Sequence, residues 1–130
     1  MFAELCCTSN FTFLTGASSP EDFVCRAKSL GYAGLGLTDE ASVSGAVRAH
    51  LTANSLTIPL IHGARFQLDN RLEITLLAPT RQAWGELGQL ISLSRRRSMK
   101  GQYHLSRRDL IGYVETLLCL WHPNSHSLEW

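Results

Sequence analysis

Apolar and polar positions along the first 61 residues predict strands and helices in alternation. Leu5, several small polar residues and the pair Phe11 and Phe13 predict a buried first strand, whose far end carries side chains into a pocket. Residues 19–22 offer an N-cap serine, a proline at the first helical position and an acid three residues after the cap, so a helix should begin there. The apolar run at 32–37 is typical of a buried parallel strand.

The middle of the chain continues this alternation. Ser42 is expected to cap a second helix, and residues 58–61 predict a third strand. Alternating apolar positions at 66–68 and 72–76 flank an Asp-Asn pair, which predicts a hairpin. The apolar face of the second helix is expected to carry Val43, Ala46, Val47, His50 and Leu51.

The last third of the chain predicts two more helices and a final strand. Thr80 can cap a longer helix, and residues 106–109 form a second capping-box pattern that opens a short one. The apolar run at 116–121 predicts a strand at the edge of the sheet. Unprotected edges tend to find partners, so we expect self-association through this strand as one use of it.

This order of elements predicts one α/β domain over residues 1–130, with mostly parallel strands, crossover helices and one hairpin. A closed (β/α) barrel usually needs about 200 residues or more. An incomplete barrel or an open layered sheet is therefore the expected architecture.

The composition of the chain excludes some classes of function but does not indicate a particular one. The chain is 45% hydrophobic and 18% charged with a net charge of +1, which gives no global reason to expect binding to nucleic acid or membranes. It has no run of about 18 apolar residues and no signal-peptide layout, so we expect a cytoplasmic protein with no membrane partner. The four cysteines form no CxxC pair and are expected to be free thiols, with Cys25 and Cys119 in the core.

Four separate blocks, at residues 4–18, 30–40, 61–66 and 103–110, together resemble a PHP (polymerase and histidinol phosphatase) domain. The likeness is closest to the N-terminal module of bacterial error-prone DNA polymerases, which are related to the polymerase III alpha subunit. It implies a distorted (β/α)₇ barrel with metal sites at the strand ends, of which this chain supplies roughly the first half. It also implies translesion synthesis and DNA repair as context, with the nucleotidyltransferase site in other domains. Those domains would be the partners of this chain, and DNA would be contacted through them.

The resemblance implies metal ligands at positions that this sequence has changed. Cys6 and Thr8 stand where two histidines are expected on the first strand, and Asp39 is followed by Glu40 instead of histidine. Arg65 stands where an acid is expected, and its charge would repel a divalent cation. We therefore predict a degenerate, metal-free module with a structural role, in which Arg65 pairs with Asp39 or Glu40.

Two rival functions follow from the same residues. One is a metal-dependent phosphoesterase or 3′–5′ exonuclease with manganese or zinc on an altered site made of Cys6, Asp39, Glu40 and His62. The other is a small nucleic-acid-binding domain. The spacing of His122 and the histidine at 126 resembles a zinc motif but has no companion cysteine pair, so we do not expect it to bind metal.

A basic cluster leaves three interpretations open. It could be a solvated helix end, a surface that docks on the rest of a polymerase, or a direct DNA contact, although no aromatic residues are interleaved with the charges. The cluster consists of Arg95, Arg96, Arg97, Lys100, Arg107 and Arg108.

Overall fold

A computed structural model describes residues 1–124, which form one mixed sheet with helices packed on one of its faces. The elements in chain order are β1 (Ala3–Cys7), α1 (Pro20–Ser29), β2 (Gly34–Glu40), α2 (Ala46–Leu56), β3 (Leu60–Gln67), β4 (Glu73–Ala78), α3 (Arg81–Arg96), a short 3₁₀ helix (Arg107–Gly112) and β5 (Leu118–His122). The strands lie side by side in sequence order, with β1, β2 and β3 parallel and β4 and β5 each antiparallel to the strand before.

The sheet is curled into half of a barrel. Cys6 Sγ on β1 lies 4.0 Å from Thr75 Oγ1 on β4, although two strands stand between them. In a flat sheet these strands would lie about 14 Å apart, three times the usual strand spacing. The predicted partial barrel with crossover helices and one hairpin is confirmed.

The predicted helix starts agree with the structure wherever a side chain caps the helix. Ser19 Oγ accepts from the amide of Asp22, whose carboxylate accepts from the Ser19 amide, so the capping box of α1 is complete. Thr80 caps α3 through the amide of Ala83. The box at Ser106 is also formed, and it opens the 3₁₀ helix. These contacts span only three residues, which is why sequence alone predicts them.

The second helix begins later than predicted, and of its predicted apolar face only Ala46 is buried within the helix. Its N-cap is Gly45, while the Ser42 hydroxyl accepts from the Ser44 amide in a local turn. A side chain at Gly45 would lie 2.9 Å from the ring of Pro20, so only glycine fits this contact. The buried face is a stripe of alanines that lets α2 approach its neighbours closely, and Val47 and Leu51 remain 68% and 64% exposed. The buried alanines are Ala46, Ala49 and Ala53.

The predicted third strand and the first arm of the predicted hairpin are one continuous strand, β3. Gly63 lies within this strand rather than at its end. Glycine is needed there because a Cβ would come within 2.6 Å of the Leu76 carbonyl oxygen on β4. Successive residues of a strand point to opposite faces. Ala64 and Phe66 pack under α3 in the larger core cluster, so Arg65 points to the concave face of the sheet.

The cysteines correct the predicted core. Cys7 is buried in the second core cluster, between the sheet and helices α1 and α2, whereas Cys25 and Cys119 are exposed. Cys25 follows the buried Val24 and is turned away from the core by the helical rotation, and Cys119 lies on the edge strand β5. Within residues 1–124, no helix is long and apolar enough to cross a membrane.

Candidate functional site at the carboxyl ends of the strands

Asp39, near the end of β2, is a buried carboxylate whose oxygens are occupied by the β1–α1 loop. Oδ1 accepts hydrogen bonds from the Ser9 amide at 2.7 Å and from Thr12 Oγ1 at 2.8 Å, and Oδ2 accepts from Ser9 Oγ at 2.7 Å. Its residue is 2% exposed. A charge buried this deeply needs such donors, so Asp39 acts as the anchor of the loop.

The same three bonds hold the β1–α1 loop over the end of β2, so the first strand is shorter than predicted. β1 ends at Cys7, and the loop then turns back over the end of β2. The predicted burial of Phe13 is wrong, since this side chain is 82% exposed at the tip of the loop, while Phe11 is half-buried.

Glu40 and Arg65 are neighbours in the register of β2 and β3. Arg65 Nη2 lies 4.0 Å from Glu40 Oε2, and both side chains are about one third exposed (33% and 35%). Of the two predicted partners of Arg65, the structure therefore places Glu40 next to it, while Asp39 binds the loop. Arg65 makes no hydrogen bond with any other residue in the range 1–124.

Tyr103 is a member of this site that sequence reasoning did not assign to it. Its hydroxyl donates to Glu40 Oε1 at 2.8 Å and accepts from the Gln67 amide at 2.9 Å. Burial and the bond to Glu40 raise the pKa of Tyr103 to about 12, so the phenol remains a donor at neutral pH. The only available signal was its place in a family-like block, because 63 residues separate it from Glu40.

The four residues of the rival metal site are divided between the two faces of the sheet. His62 pairs in register with Leu37 and packs toward the helices, 5.1 Å from the ring of Trp84, on the same face as Asp39. Cys6 and Glu40 alternate with these positions and lie on the concave face. Burial, and to a lesser degree His50, lower the pKa of His62, which keeps this ring neutral at pH 7.

The remaining predicted positions also lack the arrangement of a metal site. Thr8 follows β1 directly, is half-buried and makes no side-chain hydrogen bond within residues 1–124. His122 Nε2 lies 2.8 Å from Thr75 Oγ1, and its suggested companion at 126 lies outside the described residues. In the described part of the chain, no three His, Cys, Asp or Glu side chains come together closely enough to hold a metal ion. Together with the occupied carboxylate of Asp39 and the cation of Arg65, this donor set does not fit a divalent metal.

The basic cluster separates into two groups. Arg95 is a structural clamp that donates to the Ala41 carbonyl at 3.1 Å and the Gln102 carbonyl at 3.2 Å, with its guanidinium 5.4 Å from the centre of the Tyr103 ring. Arg97 forms two hydrogen bonds with Asp109 and lowers the pKa of that carboxyl to about 2. The other four are exposed, with no acidic partner within 4.0 Å in residues 1–124, and they are Arg96, Lys100, Arg107 and Arg108.

A cleft of about 780 Å³ opens beside these residues at the carboxyl ends of the strands. Its walls are the β1–α1 loop, the β2–α2 loop, the C-terminal part of α3 and residues 101–103. Phe11, Phe13 and Tyr103 supply aromatic surface, and Glu40 and Arg95 lie among them. Tertiary structure thus brings Arg95 together with aromatic residues that are far apart in the sequence.

A half-barrel with its polar residues at the carboxyl ends of the strands is the architecture of a PHP domain, and the sequence matches that family over residues 4–127. The chain belongs to the PHP domain family. Its curated relatives include proteins named error-prone DNA polymerase. The one from Alkalilimnicola ehrlichii is 49% identical over 130 residues and the one from Bordetella parapertussis is 51% identical over 114, covering 98% and 84% of this chain. These alignments span only 13% and 11% of the relatives' own lengths.

Two solved structures share the fold. A protein from Bifidobacterium adolescentis described as a metal-dependent phosphoesterase superposes with a TM-score of 0.57 at 14% identity, over 88% of this chain and 44% of that one. An amidohydrolase from Chromobacterium violaceum, solved with bound sulfate and no metal, gives a TM-score of 0.59 at 25% identity, over 74% of this chain and 34% of its own. This chain therefore matches less than half of either protein.

Proposed function

We propose that this chain is a catalytically inert, metal-free PHP module with a structural role in an error-prone DNA polymerase that acts in translesion synthesis and repair. The observation that carries the proposal is the carboxylate of Asp39, which accepts three hydrogen bonds from the β1–α1 loop. An acid used in this way organises the fold. The similarity to error-prone polymerases over 98% of the chain supports the parent protein.

The protein's own side chains hold the strand ends together in this proposal. The ion pair between Arg65 and Glu40 is long and partly exposed, and such pairs contribute at most about 1 kcal/mol. The bond from Tyr103 to the Glu40 carboxylate is shorter and partly buried, and bonds of this kind contribute about 1.5–3 kcal/mol. Tyr103 is therefore the stronger cross-link, and Arg65 mainly balances the charge of Glu40.

The partners of the module would be the remaining domains of the polymerase, with DNA reached through them. β5 is an edge strand with no charged residue, and Leu118 is 57% exposed, so it suits a neighbouring strand from the parent protein. We propose self-association through this edge when those domains are absent, and a cytoplasmic location for the whole.

The rival is a phosphoesterase or 3′–5′ exonuclease that uses manganese or zinc. Its fold is available, since a protein described as a metal-dependent phosphoesterase shares it. Its four candidate ligands, however, are split between the two sheet faces, so it would require a rearrangement of β2 or β3.

Metal content and hydrolysis of the purified 130-residue chain separate the two. We expect far less than one manganese or zinc per chain by elemental mass spectrometry, and no hydrolysis of bis-p-nitrophenyl phosphate or of 3′-labelled single-stranded DNA with either metal added. One metal per chain, with hydrolysis that Asp39→Asn abolishes, would establish the rival.

Two charge-reversal variants sharpen this test. Arg65→Glu supplies an acid at the position expected from the family, and Arg81→Glu makes the same charge change at an exposed site. Tight metal binding gained only by Arg65→Glu supports the view that the arginine excludes the ion. Equal, weak binding by both variants contradicts it.

A further inference from the structure

The β1–α1 loop presents two large apolar side chains to solvent from a backbone that is held in place. Phe13 and Leu14 are 82% and 107% exposed. Thr12, directly before them, donates through its hydroxyl to Asp39, and its carbonyl accepts from the Gly16 amide. Exposed apolar groups on an anchored loop indicate a contact surface.

The cleft beside this loop is more apolar than polar. Its apolar surface comes from five residues: Phe11, Phe13, Val43, Ile91 and Tyr103. The cation of the lining, Arg95, already donates to backbone carbonyls, and the anion, Glu40, already accepts from Tyr103. The lining hydroxyls are also bonded within the chain, and they belong to Thr12, Ser42 and Ser44. Because these polar groups have partners, the cleft favours an apolar occupant.

A second hollow, of about 270 Å³, lies next to the cleft on the side of the β3–β4 hairpin. It shares Glu40 and Tyr103 with the cleft and is also lined by Gln67, Leu68 and Asp69. The Gln67 amide donates to the Tyr103 hydroxyl, which fixes the shared wall to the end of β3. The cleft and this hollow together are called the docking groove below.

Strand β5 brings the chain to the hairpin end of the docking groove. It runs antiparallel to β4 and therefore ends on the same side of the sheet as β3. His122 pairs with Glu73, which pairs with Gln67, so the end of β5 lies two strand spacings, about 10 Å, from Gln67. The Asn124 side chain then donates to the Arg71 carbonyl in the hairpin turn at 3.2 Å. About three extended residues would cover the distance from β5 to the groove.

We propose that the docking groove binds an apolar segment of the parent polymerase that follows β5 in the same chain, with a large apolar side chain packed against Phe13 and Tyr103. The inference rests on the proposed function, because it requires the longer parent protein. The relative from Alkalilimnicola ehrlichii is matched over only 13% of its length, so such a parent has ample chain to supply the segment.

Two arguments favour this occupant over others. A segment tethered about 10 Å away has an effective concentration of about a millimolar, so even weak apolar contacts would hold it in place. A polynucleotide would bring phosphates to a lining whose cation, Arg95, is already bonded, and it would face the carboxylate of Glu40.

The test is photocrosslinking in the full-length parent polymerase, with Phe13 replaced by the photoreactive p-benzoylphenylalanine. Mass spectrometry should identify crosslinks to an apolar segment C-terminal to residue 122. Mixing ¹⁵N-labelled and unlabelled protein before irradiation separates crosslinks within one chain from those between two copies. The same photoreactive residue in place of Leu51, which is 64% exposed on α2, is the matched control and should not crosslink to that segment.

Amide hydrogen exchange gives an independent measurement. Residues 10–16 should exchange roughly tenfold to a hundredfold more slowly in the full-length polymerase than in the 130-residue chain, the protection expected from burying a phenylalanine side chain. Phe13→Ala should remove this protection, Phe13→Leu should keep most of it, and Leu51→Ala should leave it unchanged. In the 130-residue chain Phe13→Ala should have no such effect, because Phe13 is 82% exposed there.

Crosslinks from position 13 only to a second copy, to DNA or to another protein would overturn the proposal and assign the groove to that occupant. Equal exchange of the loop in the two proteins, with no crosslink to a downstream segment, would overturn it as well. These outcomes leave the metal-free structural role in place. A native protein whose intact mass is that of the 130-residue chain alone would instead refute both this inference and the proposed parent polymerase.

Discussion

Replacing Asp39 by alanine should remove a large part of the stability of this fold. The change deletes the acceptor of three hydrogen bonds and leaves the Ser9 amide and the Thr12 hydroxyl without their partner in a buried position. Hydrogen bonds to a charged group contribute about 1.5–3 kcal/mol each and are not additive, since the hydroxyls can reorient. Both hydroxyls still accept from a backbone amide, Ser9 Oγ from Phe11 and Thr12 Oγ1 from Glu40, but their protons lose the acceptor that Asp39 provides. We expect the free energy of unfolding to fall by about 4 kcal/mol, out of the 5–15 kcal/mol usual for such domains.

Asp39→Asn provides the informative comparison. The amide keeps one oxygen, which can still accept from the Ser9 amide and from Thr12, but its NH₂ group replaces the acceptor that Ser9 Oγ uses now. We expect a cost of about 1–2 kcal/mol. Glu115→Ala, an exposed acid elsewhere, should change stability by less than about 0.5 kcal/mol.

Urea unfolding followed by far-ultraviolet circular dichroism measures these differences, with the slope checked for constancy between variants. Amide hydrogen exchange at Ser9 should accelerate in the alanine variant, because the carboxylate that protects this amide is gone. A loss below about 1 kcal/mol for Asp39→Ala, or equal losses for the alanine and asparagine variants, would refute the anchoring role.

Three further changes test other parts of the structure. Because the folded-state pKa of His62 is lowered from 6.5, the unfolded chain binds the proton more tightly, so stability is full above about pH 6.5 and should fall as the pH decreases below it. His62→Gln should flatten this dependence in urea midpoints between pH 7.5 and 5.5, and an unchanged dependence would contradict the assignment. Tyr103→Phe should cost about 1.5–3 kcal/mol, measured in the same way, and an unchanged free energy of unfolding would contradict the role of Tyr103 as a cross-link. Gly63→Ala should lower the melting temperature, at a cost of about 1–3 kcal/mol, because its Cβ would lie 2.6 Å from a carbonyl oxygen. Gly85→Ala in α3 is the control, and it should raise the melting temperature by the equivalent of about 0.5–1 kcal/mol. The opposite order of the two melting temperatures would contradict the close approach of β3 and β4.

The candidate site was only partly predictable. The unusual residues at positions 6, 8, 40 and 65 stand out by comparison with a PHP domain, and the repulsion expected from Arg65 follows from its charge alone. The residues that these side chains contact in the folded protein cannot be predicted from the sequence. The alternation of strand faces separates Asp39 from Glu40, and Tyr103 reaches Glu40 from a loop 63 residues away. Pairing at that separation depends on how α3 and the sheet pack, which no local pattern encodes.

The sequence by itself determined the features whose energy is local. The capping boxes at Ser19 and Ser106, the cap at Thr80 and the hairpin turn join groups within a few residues, so their patterns predict them directly. Tertiary structure decided which residues are buried and which meet. In the folded chain, α2 packs through its alanines and Phe13 is exposed. The Asp39 carboxylate accepts hydrogen bonds from a loop that lies about thirty residues earlier in the chain. These outcomes differ because a cap depends on one turn of backbone, whereas burial and distant pairing depend on the packing of the whole sheet against its helices.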